Sequence, residues 1–312
     1  MNMFDLKIGF KCNNDCRHCV VANKRNSGNL SLEQLKDIIS NIDPSIDVLV
    51  ITGGEPSISE NLLDILRYAK DRGLLIQVQT NATGFVDIDF CKECSKYIDH
   101  AHVAIHSNDP GVHDNIVRSK GMWQKTMDGF QNLLSNGVYC TTQTVLSKYN
   151  IMTVYDTYKM IQEIKPGTCM SFTYPHLMGN ALNNYKDVAF RYSDYKEEMH
   201  RIFKDFGKNI WLESIPYCYQ FPYEKSFEGS VEYEIATHSD IEGRTGIDFS
   251  DGFKEKNYNY LDVTSRRKAP KCKDCVFNNI CIGVWKEYIE IFKDRLDLYP
   301  ITEEMYNKEQ KC

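Results

Sequence analysis

The stretch KCNNDCRHCV, residues 11–20, sets Cys12, Cys16 and Cys19 in a C-x3-C-x2-C spacing. Its chemistry follows from the number of thiols. A cubane iron–sulfur cluster has four irons, usually held by four thiolates. Three cysteines leave one iron without a protein ligand, and an open position is what lets a metal centre bind a substrate or cofactor. The competing reading is a structural zinc site with His18 as fourth ligand. Adjacent His18 and Cys19 would struggle to reach one tetrahedral ion together, so the spacing favours the cluster.

The chain on either side of the triad alternates short apolar runs with amphipathic ones. Residues 6–10 read as a first strand that ends just before the cysteines. Ser31 with Gln34 is a capping-box signature, and behind it Leu32, Leu35, Ile38, Ile39 and Ile42 recur at helical spacing. Residues 47–52 form a buried β-branched run broken by Gly53 and Gly54. Ser57 with Glu60 predicts the start of a helix that stops at Gly73, a natural residue to follow a helix end. Further strands are expected over 74–79, 101–106, 138–146 and 169–174, with helices over 90–97, 123–134 and 154–164. Such alternation implies an α/β fold with a parallel sheet and right-handed crossovers. Six units are too few to close an eight-fold barrel, so a partial barrel or open sheet is expected. The triad then lies in the crevice at the carboxyl ends of the strands, where ligands of such sheets bind. After Gly179 the rhythm fails. Residues 185–206 read as one long polar helix, 224–271 as loops and short strands, and 283–292 as an aromatic helix.

C-x3-C-x2-C after the first strand, with Gly53, Gly54, Glu55 and Pro56 (GGEP) after the second, resembles the radical S-adenosylmethionine (SAM) superfamily. The resemblance covers residues 5–180 and implies a partial (β/α)6 TIM-like barrel over 1–180. It also implies a [4Fe-4S] cluster on the three cysteines, whose open iron chelates the amino and carboxylate groups of SAM. Reductive cleavage then gives methionine and a 5′-deoxyadenosyl radical that abstracts hydrogen from a substrate. A flavodoxin- or ferredoxin-type electron donor is implied as partner. GGEP suits the SAM ammonium: glycines let the backbone approach closely, and Glu55 offers a further acceptor. By the same resemblance Ser107 matches a ribose contact, Arg118 a partner of the SAM carboxylate, and Gly179 a turn passing the adenine. Asn81, Thr144 and Asn150 stand near strand ends, where they could line the pocket. His18 occupies a position that is often aromatic in the family.

A second group, KCKDCVFNNIC over residues 271–281, spaces Cys272, Cys275 and Cys281 as C-x2-C-x5-C. Alone this could be half a zinc ribbon. Beside a radical SAM core it resembles the auxiliary-cluster domains called SPASM or, shortened, twitch. The match is partial: Trp285 stands where a full SPASM pattern has a further cysteine, and upstream only Cys218 occurs in place of a pair. One auxiliary [4Fe-4S] cluster on Cys218, Cys272, Cys275 and Cys281 is the preferred assignment, with Cys312 as rival fourth ligand. This organisation places a linking helix over 181–210 and the auxiliary domain over 211–312. Cys91 and Cys94 read as buried small hydrophobes. Cys140 and Cys169 read as core, with a role as hydrogen donor to a substrate radical as the alternative.

The 312 residues carry a net charge of −6, which gives no overall field to gather a nucleic acid backbone. No apolar run is long enough to span a bilayer, and residues 1–11 lack the layout of a secretory signal. Twelve cysteines, three clustered near the start, three between Cys272 and Cys281 and the rest scattered, suggest metal-binding thiolates in a reducing compartment, hence a cytoplasmic protein. Three functions compete. A peptide maturase acting on a ribosomally made precursor comes first by family analogy. The chain begins almost at the triad, so no leader-binding domain precedes it, and a separate leader-peptide-binding protein would supply that role. A small-molecule dehydrogenase or rearrangement enzyme in cofactor or natural-product synthesis is the alternative. A protein that only binds a cluster or zinc would leave GGEP and Arg118 without a task.

Overall fold

The structure is a computed structural model that describes residues 2–225, 229–230, 244–247, 255–257 and 264–309. Strands β1 (Met3–Lys7), β2 (Val48–Thr52), β3 (Leu75–Thr80), β4 (His100–Ala104), β5 (Tyr139–Val145) and β6 (Met170–Thr173) lie side by side in chain order. β7 (Ile210–Glu213) and the short β8 (Gly229–Ser230) extend this row, and every neighbouring pair from β1 to β8 is parallel. On the other side of β1, β9 (Arg244–Ile247) pairs parallel and β10 (Glu255–Asn257) antiparallel to β9. No pairing among the described residues joins β8 to β10, so the sheet is open. This is the partial, TIM-like α/β architecture that the alternation implies.

Helices α1 (Leu32–Ser40), α2 (Leu62–Asp71), α3 (Ile88–Ser95), α4 (Pro110–Val117), α5 (Met122–Ser135) and α6 (Val154–Ile164) connect the strands. The capping box before α1 is formed: Gln34 N donates to Ser31 Oγ at 3.2 Å and Ser31 N to Gln34 Oε1 at 3.0 Å. One face of the sheet sends Leu6, Ile51, Val78 and Val103 into a core with Leu35, Ile65, Leu66 and Phe130 of the helices. Residues of the opposite parity carry polar side chains that bond across strands. Thr52 donates to Gln79 at 3.2 Å, Gln143 to Thr173 at 3.2 Å, and Thr173 to Glu213 at 3.0 Å. His100 and His102 both contact the Thr141 hydroxyl at 2.7 Å.

Several local expectations are corrected. β1 starts earlier and ends at Lys7, because residues 9–11 turn aside to bond Asn29 and the second strand's end. Ser57 does not open a long helix: Pro56–Ile58 is one 3-10 turn, and α2 begins at Leu62. The single helix expected across 185–206, and with it the linking helix over 181–210, is broken. Here the chain forms α7 (Gly179–Asn183), α8 (Tyr185–Val188), a 3-10 turn Tyr192–Tyr195 and α9 (Lys196–Phe206). The break has a cause in the core. Phe190 and Tyr192 are fully buried, and Tyr174 Oη donates to the Phe190 carbonyl at 2.8 Å, which holds this stretch extended. After α10 (Tyr217–Gln220), the expected aromatic helix is shorter, Lys286–Phe292, because Val284–Trp285 pairs as a strand with Arg266–Arg267.

Candidate active site at the cysteine loop

The loop carrying Cys12, Cys16 and Cys19 is fixed from three sides. On the first, Gly54 N donates to Gly9 O at 2.8 Å and Glu55 N to Lys11 O at 2.9 Å. A Cβ at Gly54 would stand 2.2 Å from Lys11 O, and one at Gly53, where φ is 130°, 2.2 Å from Gly9 O. The close approach these glycines permit is therefore to the backbone entering the triad, and both of those amides are committed. On the second side, Asp15 N and Arg17 N donate to the Val117 and Ile116 carbonyls at the end of α4, at 3.0 and 2.9 Å. On the third, Asn180 of α7 donates from its amide to Cys19 O at 2.9 Å and from Nδ2 to Cys16 O at 3.0 Å. Gly179 has φ of 52°, and a Cβ there would meet Cys19 O at 2.6 Å.

Asp15, between the first two cysteines, gathers the charges. Its carboxylate accepts from Asn180 Nδ2 at 3.0 Å and pairs with Arg118 Nη2 at 2.6 Å and Arg25 Nη2 at 3.3 Å. Arg118 also donates from Nε to the Asp15 carbonyl at 2.6 Å. Arg118 thus stands at the triad, with its guanidinium braced on the loop. Sequence reasoning missed Asp15, Arg25 and Asn180. The available signal was Asp15 itself, the only acid in a stretch that holds Lys11, Arg17, Lys24 and Arg25.

Burial pushes the Cys16 thiol well up, with the nearby Cys19 and Cys12 thiols adding to the shift. Cys12 is pushed up to about 11, chiefly by burial, against the Asn14 amide that donates to its sulfur. Two crowded thiols, Cys12 and Cys16, that resist ionisation suit a cationic iron centre that would draw off their protons. Among the described residues, no group of three His, Cys, Asp or Glu is gathered so as to hold a metal ion. Thiolates of a cubane each bind a different iron and stand farther apart than ligands of one ion.

Around the triad three polar atoms, Asn14 Oδ1, His18 Nδ1 and His106 Nδ1, are buried without a hydrogen-bond partner. Such atoms are rare in folded proteins, and three beside one loop fit a polar ligand of SAM's kind. The His18 ring meets His106 edge-on at 4.6 Å, and His106 stacks near His113 at 5.6 Å. Burial pushes His18 and His113 down to about 4 and His106 well below its usual value. All three are neutral at physiological pH.

Other expected contacts act through the scaffold. The buried Glu55 carboxylate accepts from Ser57 N at 2.8 Å, Asn81 N at 2.6 Å and the Thr80 hydroxyl. Burial raises its pKa, and those bonds oppose the rise. It ties the end of β2 to that of β3. Pro56 begins the 3-10 turn beside it. Asn81 Nδ2 donates to Asn13 Oδ1 at 3.0 Å, so it reaches the cysteine loop directly. Ser107 is fully buried, with Oγ at 3.0 Å from Thr153 Oγ1 and accepting from Asp109 N at 3.0 Å. Thr144 donates to Ile105 O and Asn150 Nδ2 to His106 O at 2.9 Å, which braces the strand end that carries His106.

The second cysteine group packs in a separate core. Cys218, in α10, and Cys272, Cys275 and Cys281 all belong to the cluster built around Phe172, Tyr174, Ile210, Phe277 and Trp285. Burial pushes the Cys218 thiol well up, and the nearby Cys281, Cys272 and Cys275 thiols add to the shift. Ile301 N donates to Cys275 Sγ at 3.3 Å. Trp285 stacks on His176 with ring centres 3.9 Å apart. Cys312 lies outside the described residues.

Comparison with known proteins finds relatives in sequence and in fold. The chain is 23% identical over 234 residues to an AdoMet-dependent heme synthase of Methanosarcina barkeri (strain Fusaro / DSM 804), covering 73% of this chain and 66% of that one. It is 23% identical over 223 residues to the antilisterial bacteriocin subtilosin biosynthesis protein AlbA of Bacillus subtilis (strain 168), covering 70% and 48%. The matched stretch therefore spans less than two thirds of either relative. Among solved structures, Streptococcus suis SuiB bound to SAM superposes with a TM-score of 0.62 at 15% identity, covering 96% of this chain and 75% of SuiB. Native anSMEcpe with bound AdoMet and Kp18Cys peptide gives 0.62 at 14% identity, covering 99% and 94%. These likenesses show the shared fold. The model of the radical SAM superfamily matches residues 6–161, half of the sequence, and the chain belongs to that superfamily, whose members use SAM and a four-iron cluster.

Proposed function

We propose that this chain is a peptide maturase that takes a hydrogen atom from a ribosomally synthesised peptide held at the carboxyl ends of the strands. When bound, the four-iron cluster and SAM supply the 5′-deoxyadenosyl radical for that step. Cys12, Cys16 and Cys19 would hold the cluster, and the ties from Gly54, Ile116, Val117 and Asn180 keep their loop still. His18 and His106 present neutral rings and free Nδ1 atoms toward the SAM position. Gly53, Glu55, Pro56, Ser107, Arg118, Thr144 and Gly179 would shape that position mostly by holding the loop and strand ends. A flavodoxin- or ferredoxin-type protein would deliver the electron.

The observation that carries the radical SAM part is the crowding of three thiols on one loop fixed from three sides. The peptide part is supported by AlbA, and by fold-mates solved with peptides, SuiB with its precursor SuiA and anSMEcpe with Kp18Cys. Cys218, Cys272, Cys275 and Cys281 would carry an auxiliary [4Fe-4S] cluster, as their mutual approach favours. The similarity to heme synthases favours a second reading, a small-molecule dehydrogenase or rearrangement enzyme. The test is anaerobic reconstitution with SAM and dithionite, read by 5′-deoxyadenosine. Co-expression with short reading frames beside the gene, read by peptide mass, separates the two substrates. An unchanged peptide together with turnover of a porphyrin would favour the second.

A further inference from the structure

Seven large apolar side chains left exposed by the fold stand on segments that follow strand carboxyl ends: Val86 and Ile88 after β3, and a second set of Val20, Met152, Met178, Leu182 and Tyr185. Single exposed apolar residues are ordinary, but those of the second set adjoin one another. Met178, Leu182 and Tyr185, exposed by 49%, 51% and 37%, stand at the N-cap of α7, within α7 and at the start of α8. Val20, exposed by 42%, lies against the start of α7, where its carbonyl comes within 2.8 Å of a Cβ position at Gly179. The segment after β5 is drawn alongside by Lys148, whose Nζ donates to the Lys186 carbonyl. Arg17 sits 5.0 Å over the Tyr149 ring, and Asn184 Nδ2 donates to the Arg17 carbonyl at 3.4 Å. These contacts set the apolar side chains on neighbouring segments, a strip bordered by Lys148, Lys186 and Arg17, whose guanidinium also donates to Asn115, with Asp187 beside Lys186.

We propose that this strip docks the substrate peptide through apolar and acidic side chains that flank its reacting residue; the inference rests on the peptide reading above. Its position is the main argument. The residue after Cys19 belongs to the strip, and Asn180, between Met178 and Leu182, holds the Cys19 and Cys16 carbonyls. A chain lying on the strip therefore runs past the triad. The side chains suit a peptide, because methionine adapts to varied apolar partners and the basic edge favours acidic neighbours. A small ligand enclosed in the crevice would leave the strip uncovered, and contiguous exposed apolar surface marks interaction sites.

A random linear-peptide display library selected on the full chain, handled anaerobically, tests this. Enriched peptides should carry apolar residues beside Asp or Glu. One of them, labelled and followed by fluorescence anisotropy, should bind Met178→Glu/Leu182→Glu at least about tenfold more weakly, as loss of anchor side chains does. Leu75→Glu, exposed by 43% at the opposite end of the sheet, should bind as the parent chain does. If the double variant unfolds, Leu182→Lys alone should show the same weakening in kind. Equal binding by the double variant, enrichment of basic peptides, or no enrichment would overturn the proposal. So would a dimer in sedimentation that the double variant abolishes, which would make a second copy the occupant. The peptide-mass assay is independent: a modified peptide with an unaffected double variant sinks the strip alone, whereas failure of every peptide sinks the maturase reading.

Discussion

Gly54→Ala should disable the site without touching a thiol. The new Cβ would stand 2.2 Å from Lys11 O and 2.7 Å from the carbonyl carbons of Phe10 and Lys11. These are backbone atoms, so no side-chain rotation relieves the overlap. Reaching an ordinary contact moves the backbone before Cys12 by about 1 Å, and it strains the Gly54-to-Gly9 and Glu55-to-Lys11 hydrogen bonds. Overpacking plus two weakened bonds should cost about 2–4 kcal/mol of stability. A displacement of about 1 Å at a reacting centre costs on the order of 100-fold in rate. The assays are thermal unfolding and 5′-deoxyadenosine formation after reconstitution. Gly28→Ala is the comparison: its φ of 76° and ψ of −155° suit glycine alone, yet nothing lies within 4 Å of its Cβ position, so only backbone strain of about 1–3 kcal/mol applies. Unfolding and SAM cleavage in Gly54→Ala no worse than in Gly28→Ala would refute the argument that the GGEP glycines serve loop approach.

Asn180→Leu removes the side-chain bonds to Cys16 O and Asp15 Oδ1 and should lower stability by about 1–3 kcal/mol. It should also speed loss of the cluster's visible absorbance under chelator; a rate equal to the parent's would count against the clamp. His113, held down to about 4 by burial, binds its proton first in the unfolded chain. Its contribution to stability is full above pH 6.5 and declines as pH falls toward 4, by about 3 kcal/mol in total. His113→Asn keeps an acceptor for the His106 amide while removing the titration, so its urea midpoint should fall less between pH 6.5 and 4; parallel curves would contradict this. Cys16→Ala should abolish SAM cleavage, whereas Cys275→Ala should retain uncoupled cleavage with half the iron of the parent chain. Loss of nearly all the iron from either variant alone would reject two separate sites.

The alternation of strand and helix was readable because each strand hides an apolar face under amphipathic helices, as Leu6, Ile51 and Val78 do. Motif residues were readable for a different reason: thiols and paired glycines are uncommon and sit close in sequence. What escaped was long-range. Asn180 reaches Asp15 and Cys16 across more than 160 positions, and no periodicity marks an asparagine as a clamp. Arg118 and Glu55 stand at the site, yet their hydrogen bonds go to Asp15, Thr80 and Asn81. A motif shows that a residue type belongs there, and only the fold shows which partner takes its valences. The break in the helix expected over 185–206 was equally hidden. Polar spacing favoured helix, while the burial of Phe190 and Tyr192 against Tyr174 outweighed it.

The inner face of the sheet carries the last step. In a closed barrel this face is packed with branched apolar side chains. Here Thr52, Gln79, His102, Thr141, Gln143, Thr173 and Glu213 occupy it, joined by hydrogen bonds from strand to strand. Such a lining would be a poor filler for a dry core, since each buried polar group must keep a partner. It is a good wall for a polar substrate, because the network fixes its donors and acceptors before anything binds. Glu213 ends that network at the carboxyl end of β7, beside Tyr174, whose amide donates to the Glu213 carbonyl at 3.0 Å. The adjoining Trp285 and His176 stack belongs to the region of the second cysteine group. The polar wall therefore runs from β2, the neighbour of the strand before the triad loop, to β7, beside the Tyr174 carbonyl that accepts from Trp285 Nε1.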